Sequence, residues 1–330
     1  MNRILNWGLL STARINRALI PPLRASKRTR LLGVASRSLS SAETFARAWR
    51  IPKAHGSYED LLADPEIDVI YNSLPNHLHA EWTVKALHAG KHVLCEKPLA
   101  LSVEEVDAII AAAKETGRVA TEAFMYRHHT QTIRVRELVD EGAIGRLQLI
   151  KGAFTFTLTR DGNYRFIKEY GGGSLWDVGC YPISFARTIV GEEPAEVFGW
   201  QVTGPEGSDE SFYGQMRFGD GVHAQFDCGF ASPSRSHMEV VGTEGLIQIP
   251  VPFKPGAWSE VAVVRGGKAK KIRIKGRELY LGEVEDICDA VQEQKPPRIS
   301  LQDSRANVAA ILALAKSAEM GGPVRLGNFV

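Results

Sequence analysis

Ile4-Leu5-Asn6-Trp7-Gly8-Leu9-Leu10-Ser11-Thr12-Ala13-Arg14-Ile15 is an apolar run that stops at a small polar turn and leads into a helical pattern. Strand, tight turn and helix in this order make the phosphate-binding corner of a dinucleotide fold. The helix start offers unpaired N–H groups and the positive end of its dipole. The turn is not a clean Gly-x-Gly-x-x-Gly, because Ser11 and Ala13 stand at the first two glycine positions. Both are small enough for close backbone approach, and Ser11 and Thr12 add hydroxyl groups. Alone, such a turn also reads as a plain polar turn of an α/β protein.

Working outward, apolar runs at residues 31–35, 69–73, 92–95 and 119–123 alternate with amphipathic helical stretches, the pattern of βαβ units and a parallel sheet. Ser102 and Glu105 form a capping box before a helix whose apolar face carries Val103, Val106, Ile109, Ile110 and Ala113. After about residue 145 the period changes to two, with Phe154, Phe156 and Leu158 set against Thr155, Thr157 and Thr159. Gly219-Asp220-Gly221 and Gly266-Gly267 read as hairpin turns. Helical periodicity returns from Glu283 to about Ala318, interrupted at Lys295-Pro296-Pro297. The expectation is a doubly wound α/β Rossmann domain over residues 1–124 and a mostly antiparallel α+β domain over 125–330.

A length of 330 residues fits two domains, and 44% hydrophobic with 24% charged residues excludes a disordered chain. With 40 Lys+Arg against 38 Asp+Glu the net charge is only +2, which argues against a nucleic-acid or membrane partner and for a small polar molecule. No apolar run approaches the roughly 18 residues of a membrane span. The start MNRILNWGLL lacks a secretory h-region and cleavage site, so the protein is expected in the cytoplasm. Cys95, Cys180, Cys228 and Cys288 form no Cys-x-x-Cys pair, which favours buried free thiols over a metal or redox site.

The second strand ends in Ala35-Ser36-Arg37-Ser38, without the acidic residue that bonds the adenosine ribose of NAD. Arg37 matches the 2′-phosphate of NADP by charge; a solvated loop arginine is the plainer reading.

Asn72-Ser73-Leu74-Pro75-Asn76-His77-Leu78-His79, then Cys95-Glu96-Lys97-Pro98, then Asp177-Val178-Gly179-Cys180-Tyr181 form an ordered set. It resembles the Gfo/Idh/MocA family of NAD(P)-dependent oxidoreductases along essentially the whole chain. Tyr181, where the inositol dehydrogenase branch has histidine, aligns it with the branch of glucose-fructose oxidoreductase, dimeric dihydrodiol dehydrogenase and NADP-dependent xylose dehydrogenase. The resemblance implies that the second domain is built on an open sheet whose outer face makes a homodimer or homotetramer, and it implies no metal. It also implies that Ser11, Thr12, Ala13, Arg14 and Ile15 cradle the pyrophosphate and that Ser36 and Arg37 hold the 2′-phosphate. Ser73, Leu74, Pro75 and Asn76 then line the ribose and nicotinamide side with His79 close by, and Glu96 and Lys97 sit where cofactor meets substrate. NADP is the expected cofactor, with NAD as the alternative.

Oxidising an alcohol or hemiacetal needs a base for the hydroxyl proton. Tyr181 is the candidate, with Lys97 as the cation that lowers a phenol pKa of about 10; His79 is the alternative base. Lys97 also suits a developing alkoxide. A half-buried core tyrosine is the competing reading. Asp177 is a catalytic candidate too, although Ser174-Leu175-Trp176-Asp177 also resembles a capping box. Gly171-Gly172-Gly173 suits a loop at a substrate mouth or an ordinary turn. Glu122, Tyr126, Arg127, His128 and His129 follow the last Rossmann strand. Tyr126, Arg127, Tyr164 and Trp176 are candidates for holding a sugar or polyol, with Trp258 a further stacking ring. The reaction expected is hydride transfer between NADP and an aldose C1 or cyclic polyol. Dihydrodiol or other carbonyl reduction, and a non-catalytic cofactor-sensing regulator, are the rivals.

Overall fold

The computed structural model describes residues 3–329. It divides into two compact units, one running to Met125 and including Tyr280–Arg305, the other formed by Tyr126–Leu279 and the chain from Ala306.

In the first unit six strands, β1 (Leu5–Leu10), β2 (Thr29–Ala35), β3 (Lys53–His55), β4 (Val69–Asn72), β5 (His92–Glu96) and β6 (Ala120–Ala123), form one sheet in the order β3-β2-β1-β4-β5-β6. Every pairing is parallel. This is the doubly wound dinucleotide-binding order, with its switch point between β1 and β4. Strand β3 was not foreseen, since three half-buried residues carry no periodicity. The connecting helices are α1 (Asn16–Ala25), α2 (Leu39–Trp49), α3 (Tyr58–Ala63), α4 (His79–His88) and α5 (Val103–Thr116). The cap of α5 forms as read: Ser102 Oγ accepts from the Glu105 amide at 3.1 Å. The Glu105 carboxylate accepts from the Leu101 amide at 2.8 Å.

The sequence boundary at residue 124 assigns everything later to the second domain, yet the late helix α8 (Leu281–Gln292) lies in the first unit. Its apolar stripe of Val284, Ile287 and Cys288 joins the core cluster of Trp7, Leu9, Leu19, Leu23 and Tyr71. Arg28 then ties α8 down from outside, bonding Glu285 at 3.1 Å, Gln292 at 3.0 Å and Glu293 at 3.3 Å, with Asp289 as a further partner.

The second unit carries α6 (Thr130–Asp140), α7 (Cys180–Val190) and a nine-stranded open sheet. Its strands are β7 (Leu147–Thr157), β8 (Glu196–Thr203), β9 (Asp209–Arg217), β10 (His223–Gly229), β11 (Ala231–Gly242), β12 (Leu246–Ile249), β13 (Trp258–Arg265), β14 (Lys268–Lys275) and β15 (Val324–Arg325). Only β7 and β10 pair in parallel; the other pairings are antiparallel. Gly266-Gly267 closes the β13–β14 hairpin with φ of +52° and +73°, values that glycine adopts without strain. Helix α9 (Leu301–Met320) begins in the residues assigned to the first unit and backs β8, where Ser317 Oγ accepts from the Gly199 amide at 3.1 Å. On the opposite face of β8 and β9, Trp200, Val202 and Tyr213 are about half exposed. All four cysteines are buried free thiols. Among the described residues no helix is long and apolar enough to cross a membrane.

Because Ile287 is fully buried in the first unit's core, Ile287→Ala is expected to lower the unfolding free energy by about 2–5 kcal/mol. Chemical denaturation followed by circular dichroism reads this; an unchanged midpoint would remove α8 from that core.

Candidate active site

The turn after β1 achieves without glycine what glycine usually provides. Ser11 adopts a φ of +134°, a region that strains a side-chain-bearing residue. A chain of hydrogen bonds holds it there. The Ala13 amide donates to Ser11 Oγ at 3.1 Å, and the Ser11 and Ser73 hydroxyls meet at 2.9 Å. Ser73 Oγ donates to Asn16 Oδ1 at 2.7 Å, and Asn16 Nδ2 donates back to the Ser11 carbonyl at 2.8 Å. Ser11, Asn16 and Ser73 are all buried. Helix α1 opens at Ile15 without a side-chain cap. The Asn16, Arg17 and Ala18 amides bond back to the Ala13, Arg14 and Ile15 carbonyls at 3.2, 3.2 and 2.8 Å, which tightens the helix start, and its positive dipole end suits a pyrophosphate over Ser11 to Ile15. Asn16 was missed by sequence reasoning; its signal was a polar residue on the buried side of the first helical turn.

At the end of β2, Ser36 is half-buried and donates its amide to the His55 carbonyl at 3.2 Å, while Arg37 projects into solvent. Ser38 caps α2. The Arg37 charge acts on Tyr58, whose hydroxyl is pushed above the ordinary phenol value by burial. A guanidinium, serine hydroxyls and a helix start on one strand end suit a phosphate monoester.

The ends of β4 and β5 are laced together. His79, the first residue of α4, is fully buried, with Nδ1 2.7 Å from the Pro98 carbonyl and Nε2 2.7 Å from the Leu74 carbonyl. Burial pulls its pKa down to about 4, while the two carbonyl contacts pull the other way. Both nitrogens are turned to main-chain oxygen, which makes the ring a brace between loops rather than a group facing substrate. Glu122 accepts from the Leu99 amide at 2.9 Å, so it holds the same loop from β6. Leu74 is buried, Pro75 and Asn76 are half-buried, and Asn76 begins a short 3-10 turn. Between these supports sit Glu96 and Lys97, both half-buried. The Glu96 carboxylate accepts the hydroxyl of the buried Tyr71.

In the second unit, a π-helical turn over Leu175–Gly179 runs directly into α7. Ser174 has helical backbone angles and makes no side-chain cap, so the capping box expected as the plain reading of Asp177 does not form. Asp177 instead pairs with Arg165, Nε to Oδ2 at 3.0 Å. The Arg165 guanidinium also lies 4.9 Å from the Tyr164 ring centre. Tyr181 is buried among aromatic rings, with centroids 5.7 Å from Tyr126, 5.3 Å from Phe154 and 5.3 Å from Phe253. Tyr126 donates its hydroxyl to Ser184 Oγ at 2.9 Å, and Arg127 reaches the same oxygen at 3.4 Å. Trp176 is half-buried on the π turn. Trp258 stands on the outer side of β13 under Arg273, at 4.6 Å, and is more than half exposed. That is the face opposite the Tyr181 cluster, so Trp258 is not a stacking ring for the same ligand as Tyr181. His129 caps α6 by accepting from the Gln131 amide at 3.1 Å. Among the described residues no group of three or more His, Cys, Asp or Glu gathers to hold a metal.

Residues 5–124 match the profile of an oxidoreductase family with an NAD-binding Rossmann fold, and residues 132–248 match the GFO/IDH/MocA C-terminal domain. The D-xylose 1-dehydrogenase (NADP(+)) 2 of Haloferax volcanii is 35% identical over 97% of this chain and 99% of its own. The trans-1,2-dihydrobenzene-1,2-diol dehydrogenase of Xenopus laevis is 34% identical over 81% of each chain. Among solved structures, the 3-ketoreductase of Actinomadura kijaniata in complex with NADP and TDP-benzene superposes with a TM-score of 0.90 at 28% identity, covering 96% of this chain and 98% of that one. With both domain profiles matched and full-length relatives above 30% identity, the chain belongs to the GFO/IDH/MocA family of oxidoreductases, and its first domain is that family's NAD-binding Rossmann fold.

Proposed function

We propose that the protein is an NADP-dependent dehydrogenase that oxidises C1 of an aldose or a related cyclic polyol, with Tyr181 as proton acceptor and Lys97 as its cation. The observation that carries this reading is Arg37 standing free at the end of β2, where an NAD enzyme places a carboxylate. The 35% identity to an NADP-dependent xylose dehydrogenase over nearly the whole of both chains supports it.

Bound NADP⁺ supplies the hydride acceptor. As hydride leaves C1, Tyr181 takes the hydroxyl proton and the hemiacetal becomes a lactone. The Lys97 ammonium favours phenolate over phenol and steadies negative charge developing on the substrate oxygen. Arg165, held against Asp177 and Tyr164, supplies N–H donors suited to sugar hydroxyls, and the half-buried Trp176 supplies ring surface. The buried free thiols suit the reducing cytoplasm.

A homodimer or homotetramer follows from the face of β8 and β9 that carries Trp200, Val202 and Tyr213. An apolar patch of this kind on a sheet calls for a partner surface, and a second copy offers the same patch by symmetry.

A turnover screen of aldoses, cyclic polyols and dihydrodiols with both nucleotides tests the substrate class. NADP binding without turnover of any of them would favour the regulator. Arg37→Ala is expected to remove most of an NADP preference of about 1.5–3 kcal/mol, measured as the ratio of the two dissociation constants. Equal affinity of the unaltered protein for NADP and NAD overturns that assignment. Tyr181→Phe is expected to bind NADP normally while turnover falls on the order of 10² to 10⁴. Lys97→Met should lose turnover and raise the apparent pKa of the residual rate, and the double variant should lose less than the product of the two. Light scattering is expected to give at least the mass of two chains, reduced to one by Tyr213→Asp; a monomeric unaltered protein refutes the interface.

A further inference from the structure

We propose that Asp209, at the start of β9, is a positioning residue for the reaction: its carboxylate anchors the segment that delivers Asp177 and Tyr181. The inference rests on the reading of Tyr181 as base.

The Asp209 side chain is almost wholly buried. Its Oδ2 accepts from Ser174 Oγ at 2.6 Å and from the Leu175 amide at 2.8 Å, the two residues at which the π turn begins. From there the chain reaches Asp177 within two residues and Tyr181 within six. The approach is close enough to dictate glycine. Gly173 has a φ of +118°, and a Cβ there would fall 2.2 Å from Asp209 Oδ1. A Cβ on Gly172 would fall 2.6 Å from the carbonyl oxygens of Arg165 and Ile167. The glycine run is thus a packing requirement imposed by Asp209 and by the loop before it.

The same hairpin end holds the partner of Asp177. Ser208 Oγ donates to the Phe166 carbonyl at 2.8 Å, and Ile167 bridges to Gly207. Arg160 pairs with Glu206 at 3.5 Å and with Glu210. Residues 206–210 therefore fasten both sides of the Arg165–Asp177 pair, the loop through Ser208 and the helix start through Asp209.

A neutral side chain caps a helix at less cost than a buried carboxylate, and burial already raises the Asp209 pKa. What the carboxylate adds is a strong acceptor at the positive end of the helix, which fixes the residues at which the π turn starts. A pure cap predicts lower stability with normal turnover per folded molecule. A positioning residue predicts altered turnover in protein that is folded and loaded with cofactor.

The experiment compares Asp209→Ala, Asp209→Asn and Tyr181→Phe in the full-length protein. It reads kcat, KM for sugar, NADPH affinity by fluorescence, the pH dependence of kcat and the thermal midpoint. Asp209→Ala is expected to bind NADPH normally, while kcat falls on the order of 10- to 100-fold, as for misplaced catalytic groups. The pH midpoint of kcat should move upward as Tyr181 leaves its cation. Asp209→Asn, which keeps an oxygen acceptor for Leu175 but loses the charge, should recover only part of kcat. Full kcat and an unmoved pH profile in folded Asp209→Ala overturn the proposal. Full turnover by Tyr181→Phe overturns the base assignment instead, and Asp209 is then judged on kcat alone. If Asp209→Ala does not fold, Ser174→Ala removes one of the two bonds and is read the same way, with unchanged kcat and pH profile counting against the anchor.

Discussion

A single hydrogen-bonded knot at the centre of the parallel sheet fixes the corner proposed for the cofactor. The strand order turns about β1 and β4, and at their carboxyl ends Ser11, Asn16 and Ser73 bond one another in a closed chain. Each bond in water would contribute only about 1 kcal/mol, but breaking one of them here would leave a buried polar group unsatisfied at a cost of about 1–3 kcal/mol. That penalty keeps Ser11 in a backbone region its side chain disfavours. It also aligns the uncapped start of α1 with the loop after β4.

The same device recurs at two further loops that carry candidate functional groups: a buried polar side chain from elsewhere in the fold takes hold of main-chain atoms. His79 and Glu122 grip Pro98 and Leu99 beside Lys97, and Asp209 grips Leu175 below Asp177 and Tyr181. Loops are the parts of a fold with most freedom, and these bonds remove it beside the candidate residues Lys97, Asp177 and Tyr181. Aromatic packing does this work for Tyr181 itself, since Tyr126, Phe154 and Phe253 surround its ring.

Much of this was legible in residues read in order. The period of two after residue 145, the alternation of apolar runs before it, and the turns at Gly219-Asp220-Gly221 and Gly266-Gly267 all correspond to observed elements. The capping box of α5 formed at its expected place. Less was legible at the candidate site. Ser174 to Asp177 matched a cap pattern, yet Asp177 turned to Arg165, because Asp209 had already taken the start of that helix. Asn16, Arg165 and Asp209 carried no motif; each is an ordinary polar residue until its partner is known.

By itself the sequence determined most of the strands and helices, the turns between several of them, and which family's motifs they carry. Those properties depend on backbone periods of 2 and 3.6 residues and on turn chemistry, and both are local. Only the tertiary structure decided that α8 returns to complete the first core and that Trp258 stands on the outer sheet face. It alone paired Arg28 with a helix about 260 residues away. An amphipathic helix states that one face must be buried but not against what, and a buried carboxylate states that it needs donors but not whose. Those choices are made when the chain closes on itself, where packing and the cost of an unsatisfied polar group act across any separation in sequence.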